Sequence, residues 1–280
     1  MSHMIYGASV RGASHIRSGV VCQDSYKQMQ IADDVILIAV ADGHGSSACP
    51  YSKTGSKIAT NVFCSIMEDA YHSFAEDMNF FMTYLNREGE LKIAQSIDVE
   101  WKRRVWKAHL DNKREKPIDE NGEVDKKAVY KQYGTTLLGL MITPSFVFAF
   151  QLGDGDILVV DNKEVHQIVS TDKILGTETH SLSKIDAWKK VTTIIRKRDS
   201  VDDLPYLYLI STDGFSNSHK TERDFHITCK EYFKLIGECG FNAVASNLKN
   251  WLNETSEHGC GDDITVVMVY FESPEVLKND

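Results

Sequence analysis

Residues 146–169, FVFAFQLGDGDILVVDNKEVHQIV, hold three strand-length apolar runs joined only by GDGD and DNKE. Joins that short cannot carry a crossover between parallel strands, which takes a dozen or more residues. The stretch therefore reads as an antiparallel meander. Further runs rich in β-branched and aromatic residues lie at 35–41 (VILIAVA), 206–211 (YLYLIS) and 264–271 (ITVVMVYF). Several are continuous rather than alternating, so both faces of the sheets are expected to be covered. Helical spacing links Tyr51, Gly55, Ile58, Val62 and Ile66. It also links Leu91, Ala94, Ile97, Trp101, Val105 and Ala108, and then Val244, Leu248, Trp251 and Leu252. Strand groups separated by helix groups predict an α+β domain, with helices packed outside antiparallel sheets. Residues 111–131, highly charged with a Pro and an Asn-Gly, read as an exposed hairpin or loop. Residues 172–203 read as a solvated surface segment, with a mobile insertion as the alternative.

The chain has 280 residues, 42% of them apolar, enough for one substantial core. A net charge of -9 argues against a nucleic-acid partner, because such domains carry a basic face. The six cysteines (Cys22, Cys49, Cys64, Cys229, Cys239 and Cys260) form no CxxC pair, so no structural zinc site is expected. No segment reads as a signal peptide, and no apolar run approaches the roughly 20 residues of a membrane span. These features predict free thiols, a cytoplasmic location and no membrane partner. MSHM at residues 1–4 reads as a cloning remnant, leaving one domain over 5–273 and a tail at 274–280.

The run VILIAV passes without a gap into Val40–Ser47, VADGHGSS. Asp-Gly is a common turn, and strands end in turns. Yet the pattern recurs. Asp24 lies in CQDSY, Asp42 ends the first core run, Asp154 lies in LGDGD, Asp213 follows YLYLIS, and Asp262 and Asp263 precede the last run. Five such positions suggest a carboxylate cluster if the topology brings the strand ends together. Clustered carboxylates repel and hold protons more tightly unless a cation sits among them. Hard oxygen donors suit Mg²⁺ or Mn²⁺. A backbone carbonyl approaching a metal leaves little room for a side chain, which makes Gly43 a candidate. His44 titrates near neutral pH. Taken alone, its ordinary reading is a hydrogen-bonded loop histidine.

DGHG, YGTTLLGLMI, LGDGDILVV, STDGFSNS and GDDITVVMV occur in that order. Together they resemble the metal-dependent PP2C-type (PPM) serine/threonine protein phosphatases, and GASHIRSGVVCQDSY looks like the opening of a bacterial branch. The resemblance spans roughly Ile5 to Phe271. It implies a sandwich of two antiparallel sheets flanked by helices (α-β-β-α), with two Mn²⁺ or Mg²⁺ ions at one end. It maps Asp24, Asp42, Asp213 and Asp262 onto positions that bind the metals directly or through water, with Gly43 supplying its carbonyl. Asp154, with Asp213, falls where a third, weaker metal can be held. A metal-activated hydroxide would attack phosphorus, and His44 would protonate the departing Ser or Thr oxygen. A phosphorylated protein substrate, a cognate Ser/Thr kinase acting on the same targets, and a monomeric state are the expectations that follow.

The sequence departs from the family pattern at two places. Many members carry an Arg five residues before the first metal aspartate, to grip phosphate, and here that position is Gly19. Arg17 and His15 are the candidates that remain. Asp263 stands where an Asn is usual, which keeps the size and loses the amide donor. Three rival readings compete with this one. A cysteine-based phosphatase needs an Arg six residues after its Cys, but Gln28, Gly55, Ala70, Leu235, Ala245 and Val266 occupy those positions. A catalytically silent phosphoprotein-binding or scaffold module would be signalled by loss of the aspartates, and all the matching ones are present. A calcium-stabilised domain also suits Asp/Gly loops, but the EF-hand pattern is absent.

Overall fold

Residues 2–169, 180–198 and 206–272, which the computed structural model describes, form two antiparallel sheets stacked face to face. The first sheet runs β1 (His3–Val10), β10 (Ile264–Phe271), β9 (Tyr206–Ser211), β6 (Asp156–Val160), β7 (Val165–Gln167) in space. The second runs β2 (Ser25–Ala32), β3 (Val35–Ala41), β4 (Leu137–Ile142), β5 (Phe146–Leu152), β8 (Thr192–Lys197). The second sheet is covered by α2 (Ser52–Phe74), α3 (Met78–Glu88), α4 (Ala94–Asp111) and α5 (Lys126–Lys131). The first is covered by α7 (Glu222–Cys239) and α8 (Phe241–His258). Two short helices, α1 (Ala13–Ser18) and α6 (Asp213–Asn217), lie beside the strand ends.

The continuous apolar strands are continuous because each face meets a different layer. Along β3, Ile36, Ile38 and Val40 pack between the sheets with Leu138, Leu140, Ile157, Ile210, Val267 and Val269. The intervening Val35, Leu37, Ala39 and Ala41 face Ala59, Val62, Phe63 and Trp101 of the helices. A side-chain period of two thus distributes one apolar run over two cores. The α-β-β-α architecture expected from the sequence is the one observed.

Several local readings change. GDGD does not join two strands of one meander. β5 lies in the second sheet and β6 in the first. Gly153 (φ 95°) and Gly155 (φ 118°) make a left-handed corner between the layers, a conformation that glycine adopts without a Cβ penalty. Only DNKE closes a hairpin, between β6 and β7. Within 172–203, the described residues supply β8, paired with β5, so part of that segment is a sheet edge. Residues 170–179 and 199–205 lie outside the described residues. Within 111–131, Ile118 and Val124 bridge as a short hairpin, and Lys126–Lys131 form α5. β1 starts at His3, opposite Phe271, so the strand runs through part of the stretch read as a cloning remnant.

Gly55 shows why the helical stripe on α2 includes a glycine. A Cβ there would lie 1.9 Å from Tyr133 O. The Gly55 carbonyl also accepts a hydrogen bond from Trp101 Nε1 at 3.0 Å. Gly55→Ala is expected to cost about 1–3 kcal/mol or more, the scale of overpacking a closed core. The check is the denaturant midpoint, which should fall at unchanged slope.

Candidate metal centre

The end of β3 is held by residues 134–136. Asp42 N donates to Thr136 Oγ1 at 3.0 Å. Asp42 O accepts from Thr136 N at 2.9 Å and from Thr135 Oγ1 at 2.8 Å. His44 N donates to Gly134 O at 3.0 Å. A Cβ on Gly134 would lie 2.6 Å from His44 Cδ2, so the imidazole lies over that glycine. Gly43 is required by packing: a Cβ would lie 2.7 Å from Gln23 O and 2.9 Å from the Ser52 carbonyl carbon.

Thr212 joins three chain segments at the neighbouring strand end. Its hydroxyl donates to Asp24 Oδ2 at 2.8 Å and accepts from Thr265 N at 3.0 Å. Asp213 follows it as the first residue of α6, and its Oδ2 accepts from Asn217 Nδ2 at 2.9 Å. Asp262 lies in the loop before β10, with its side chain 49% exposed.

The aspartates act on one another. Burial, then the charge of Asp263, pushes Asp24 up to about 7, against the hydrogen bonds of Thr212, Thr265 and Asp42. Burial raises Asp42 well above the usual carboxylate range. The charges of Asp24, Asp213 and Asp262 raise it further, and it is hydrogen-bonded to Asp24. The fold therefore brings Asp24, Asp42, Asp213 and Asp262 into one electrostatic cluster. Asp154 stands at the same end of the sandwich. Its flanking glycines pack against Thr136 and Ser211 O, with Cβ positions 2.6 Å from each.

Oxygen donors of this kind suit Mg²⁺ or Mn²⁺. Among the described residues, no group of three or more His, Cys, Asp or Glu side chains is already arranged to hold an ion. The donor chemistry fits a divalent cation.

The two phosphate-grip candidates are placed differently. Arg17 is exposed on α1. His15 is largely covered, and its Nδ1 lies 2.9 Å from Asp263 Oδ1. Its Nε2 lies 3.7 Å from Asp262 Oδ1. Asp263, read from sequence only as a lost amide donor, is a buried acceptor for three groups. Oδ1 also takes Gly12 N at 2.7 Å, and Oδ2 takes Gln23 N at 2.7 Å. Arg11, which sequence reading passed over, donates from its guanidinium to His15 O at 2.7 Å and to Val20 O, closing the α1 loop. Thr135, Thr136 and Thr212 were also unread as site residues. Their signal was present, since Thr135 and Thr136 follow Gly134 in YGTTLLGLMI and Thr212 precedes Asp213. Clefts of about 460 Å³ between α7 and α8, and of about 480 Å³ between α7 and the β6–β7 hairpin, are lined by none of these aspartates.

Comparison with known proteins bears on the family and the fold. The protein phosphatase 2C family model matches residues 11–253. No curated protein sequence matches the chain. The fold is similar to the S. agalactiae serine/threonine phosphatase, at 17% identity and TM-score 0.61, over 97% of this chain and 100% of that one. It is similar to the serine/threonine phosphatase Stp1 from Staphylococcus aureus, at 14% identity and TM-score 0.62, over 97% and 96%. The catalytic domain of the serine threonine protein phosphatase PstP, in complex with 2 manganese ions, aligns at 14% identity and TM-score 0.52, over 96% and 97%. With the family's sequence pattern running from Arg11 to Asn253 and its two-sheet architecture in place, the chain belongs to the protein phosphatase 2C family.

Proposed function

We propose that this chain is a metal-dependent protein-serine/threonine phosphatase. The observation that carries the proposal is the gathering of Asp24, Asp213 and Asp262 around the partly buried Asp42 at one end of the sandwich. Such a cluster costs stability unless a cation occupies it. Asp24, Asp42, Asp213 and Asp262, with the Gly43 carbonyl, would hold two Mn²⁺ or Mg²⁺. Asp154 with Asp213 would take a third, weaker ion. When bound, the ions supply an activated water nucleophile and offset charge on the phosphoryl oxygens.

The remaining work falls to side chains. Gly134 and Thr135 hold the turn that carries Asp42 and His44. His44 would carry, on a ring nitrogen, the proton given to the departing Ser or Thr oxygen, a contribution of about 10²–10⁴ in rate. Arg17 and His15 remain the candidates to orient the phosphate. The substrate would be a phosphorylated protein, and the counterpart a Ser/Thr kinase acting on the same targets.

The purified protein should hydrolyse p-nitrophenyl phosphate and phosphothreonine peptides with Mn²⁺ or Mg²⁺, and stop in EDTA. Undiminished turnover after thorough chelation overturns the metal-dependent reading. Binding of phosphopeptide without turnover at saturating Mn²⁺ would favour the silent scaffold instead.

A further inference from the structure

The two departures from the family pattern meet in space. The missing Arg leaves His15 near the site, and the Asn-to-Asp change puts a carboxylate against that histidine. Asp263 Oδ1 lies 2.9 Å from His15 Nδ1. Asp263 is held by Gly12 N and Gln23 N and is 3% exposed, so its position is fixed. A buried carboxylate that accepts only N–H donors takes the Nδ1 proton of the ring. That leaves Nε2 with its lone pair outward, the arrangement by which outer carboxylates orient metal-binding histidines.

The direction of Nε2 is given by its neighbours. It lies 3.7 Å from Asp262 Oδ1, whose charge acts on Asp42. It lies 3.9 Å from where a Cβ on Gly45 would stand, so it faces the turn that carries Asp42 and Gly43. A second observation points to a ligand at the same place. Gln23 is 8% exposed, and its Oε1 is buried without a hydrogen-bond partner. That oxygen lies 3.3 Å from the same Gly45 Cβ position. With its amide nitrogen donating to Ser52 Oγ at 2.8 Å, the oxygen is the end of the side chain turned toward Gly45. A buried acceptor of this kind calls for a donor, and water carried by a bound cation would supply it.

We propose that His15 Nε2, rather than gripping the phosphate, which falls to Arg17, is a nitrogen ligand of the metal centre beside Asp262, with Asp263 as its positioning residue. This rests on the metal-dependent reading above and adds to it. An imidazole suits Mn²⁺ and other transition ions, whereas carboxylate and water suit Mg²⁺. The chain would therefore prefer Mn²⁺ to Mg²⁺ through His15.

The test uses the full chain at one fixed pH. Electron spin-echo spectra of the Mn²⁺-loaded protein should show coupling to ¹⁴N. The coupling should change on ¹⁵N-histidine labelling, persist in His44→Ala and vanish in His15→Ala. Calorimetric titration should show His15→Ala and Asp263→Asn weakening Mn²⁺ by about 10–100-fold, the scale of disturbing such a ligand pair. Mg²⁺ affinity should change much less. Turnover with Mn²⁺ but without nitrogen coupling, or equal losses for both metals, overturns the His15 assignment and leaves the phosphatase reading standing. Failure of the wild type to bind Mn²⁺ at all overturns both.

Discussion

Asp42→Asn is expected to lower phosphatase turnover at saturating Mn²⁺ by at least about 10²-fold, the scale of losing one electrostatic element at a reacting centre. The same substitution should raise the melting temperature of the metal-free protein. Both effects follow from one arrangement. Asp42 is partly buried against the charges of Asp24, Asp213 and Asp262. An amide removes a charge that a cation needs and that the metal-free fold must tolerate. Its N–H₂ can still donate to Asp24, so the packing is kept. Asp213→Asn should lose activity similarly, since its carboxylate opens α6 beside the same cluster. Turnover assays paired with calorimetry in EDTA check this. Near wild-type rates at saturating Mn²⁺ would remove these residues from the ligand set, and a lowered melting temperature would show that repulsion is not their cost.

The stability of the metal-free protein should fall as pH rises from about 5 to about 8. A carboxylate whose folded value is raised binds more protons in the folded chain than in the unfolded one. Its contribution is complete below the unfolded value, about 4, and is lost as pH climbs through the folded one. For Asp24 that upper value is about 7, and Asp42 is displaced in the same direction. Asp98, a residue of α4 raised by burial, adds a slope of the same sign. Comparison with Asp42→Asn isolates the cluster, because that variant should show the shallower slope. Mn²⁺ displaces the retained protons, so its affinity should tighten with pH and its binding should release protons. Calorimetric melts in EDTA and in Mn²⁺ across this range provide the measurement. A metal-free stability that is flat or rises would mean that Asp24 and Asp42 do not hold protons in the folded chain.

Much of the molecule was legible along the chain. The runs at 35–41, 146–152, 206–211 and 264–271 are strands at those bounds. The stripes Tyr51–Ile66 and Val244–Leu252 lie on α2 and α8. Burial imposes a period of two or 3.6 on neighbouring residues, so local sequence records it. The helix α7 was legible by the same rule, with Phe225, Cys229, Tyr232, Phe233 and Ile236 buried on one side, although it was not read. β2 alternates between covered and open positions at a sheet edge, a weaker signal than a run covered on both faces.

The partners of those elements were not legible. A turn such as GDGD has the same composition whether it closes a hairpin or carries the chain from one sheet to the other. Pairing with β9 on one side and β4 on the other decides which. The aspartates could be marked at their strand ends from sequence, because strands end in turns wherever they lie. That Asp24, Asp42, Asp213 and Asp262 share one field was decided by stacking the sheets. Asp263 shows the limit most clearly. Sequence could note only what its carboxylate lacked, because the Gly12 N–H that it accepts is 251 residues away. Hydrogen bonds between segments that far apart leave no local period, so only the folded chain shows that the aspartate and the histidine answer each other.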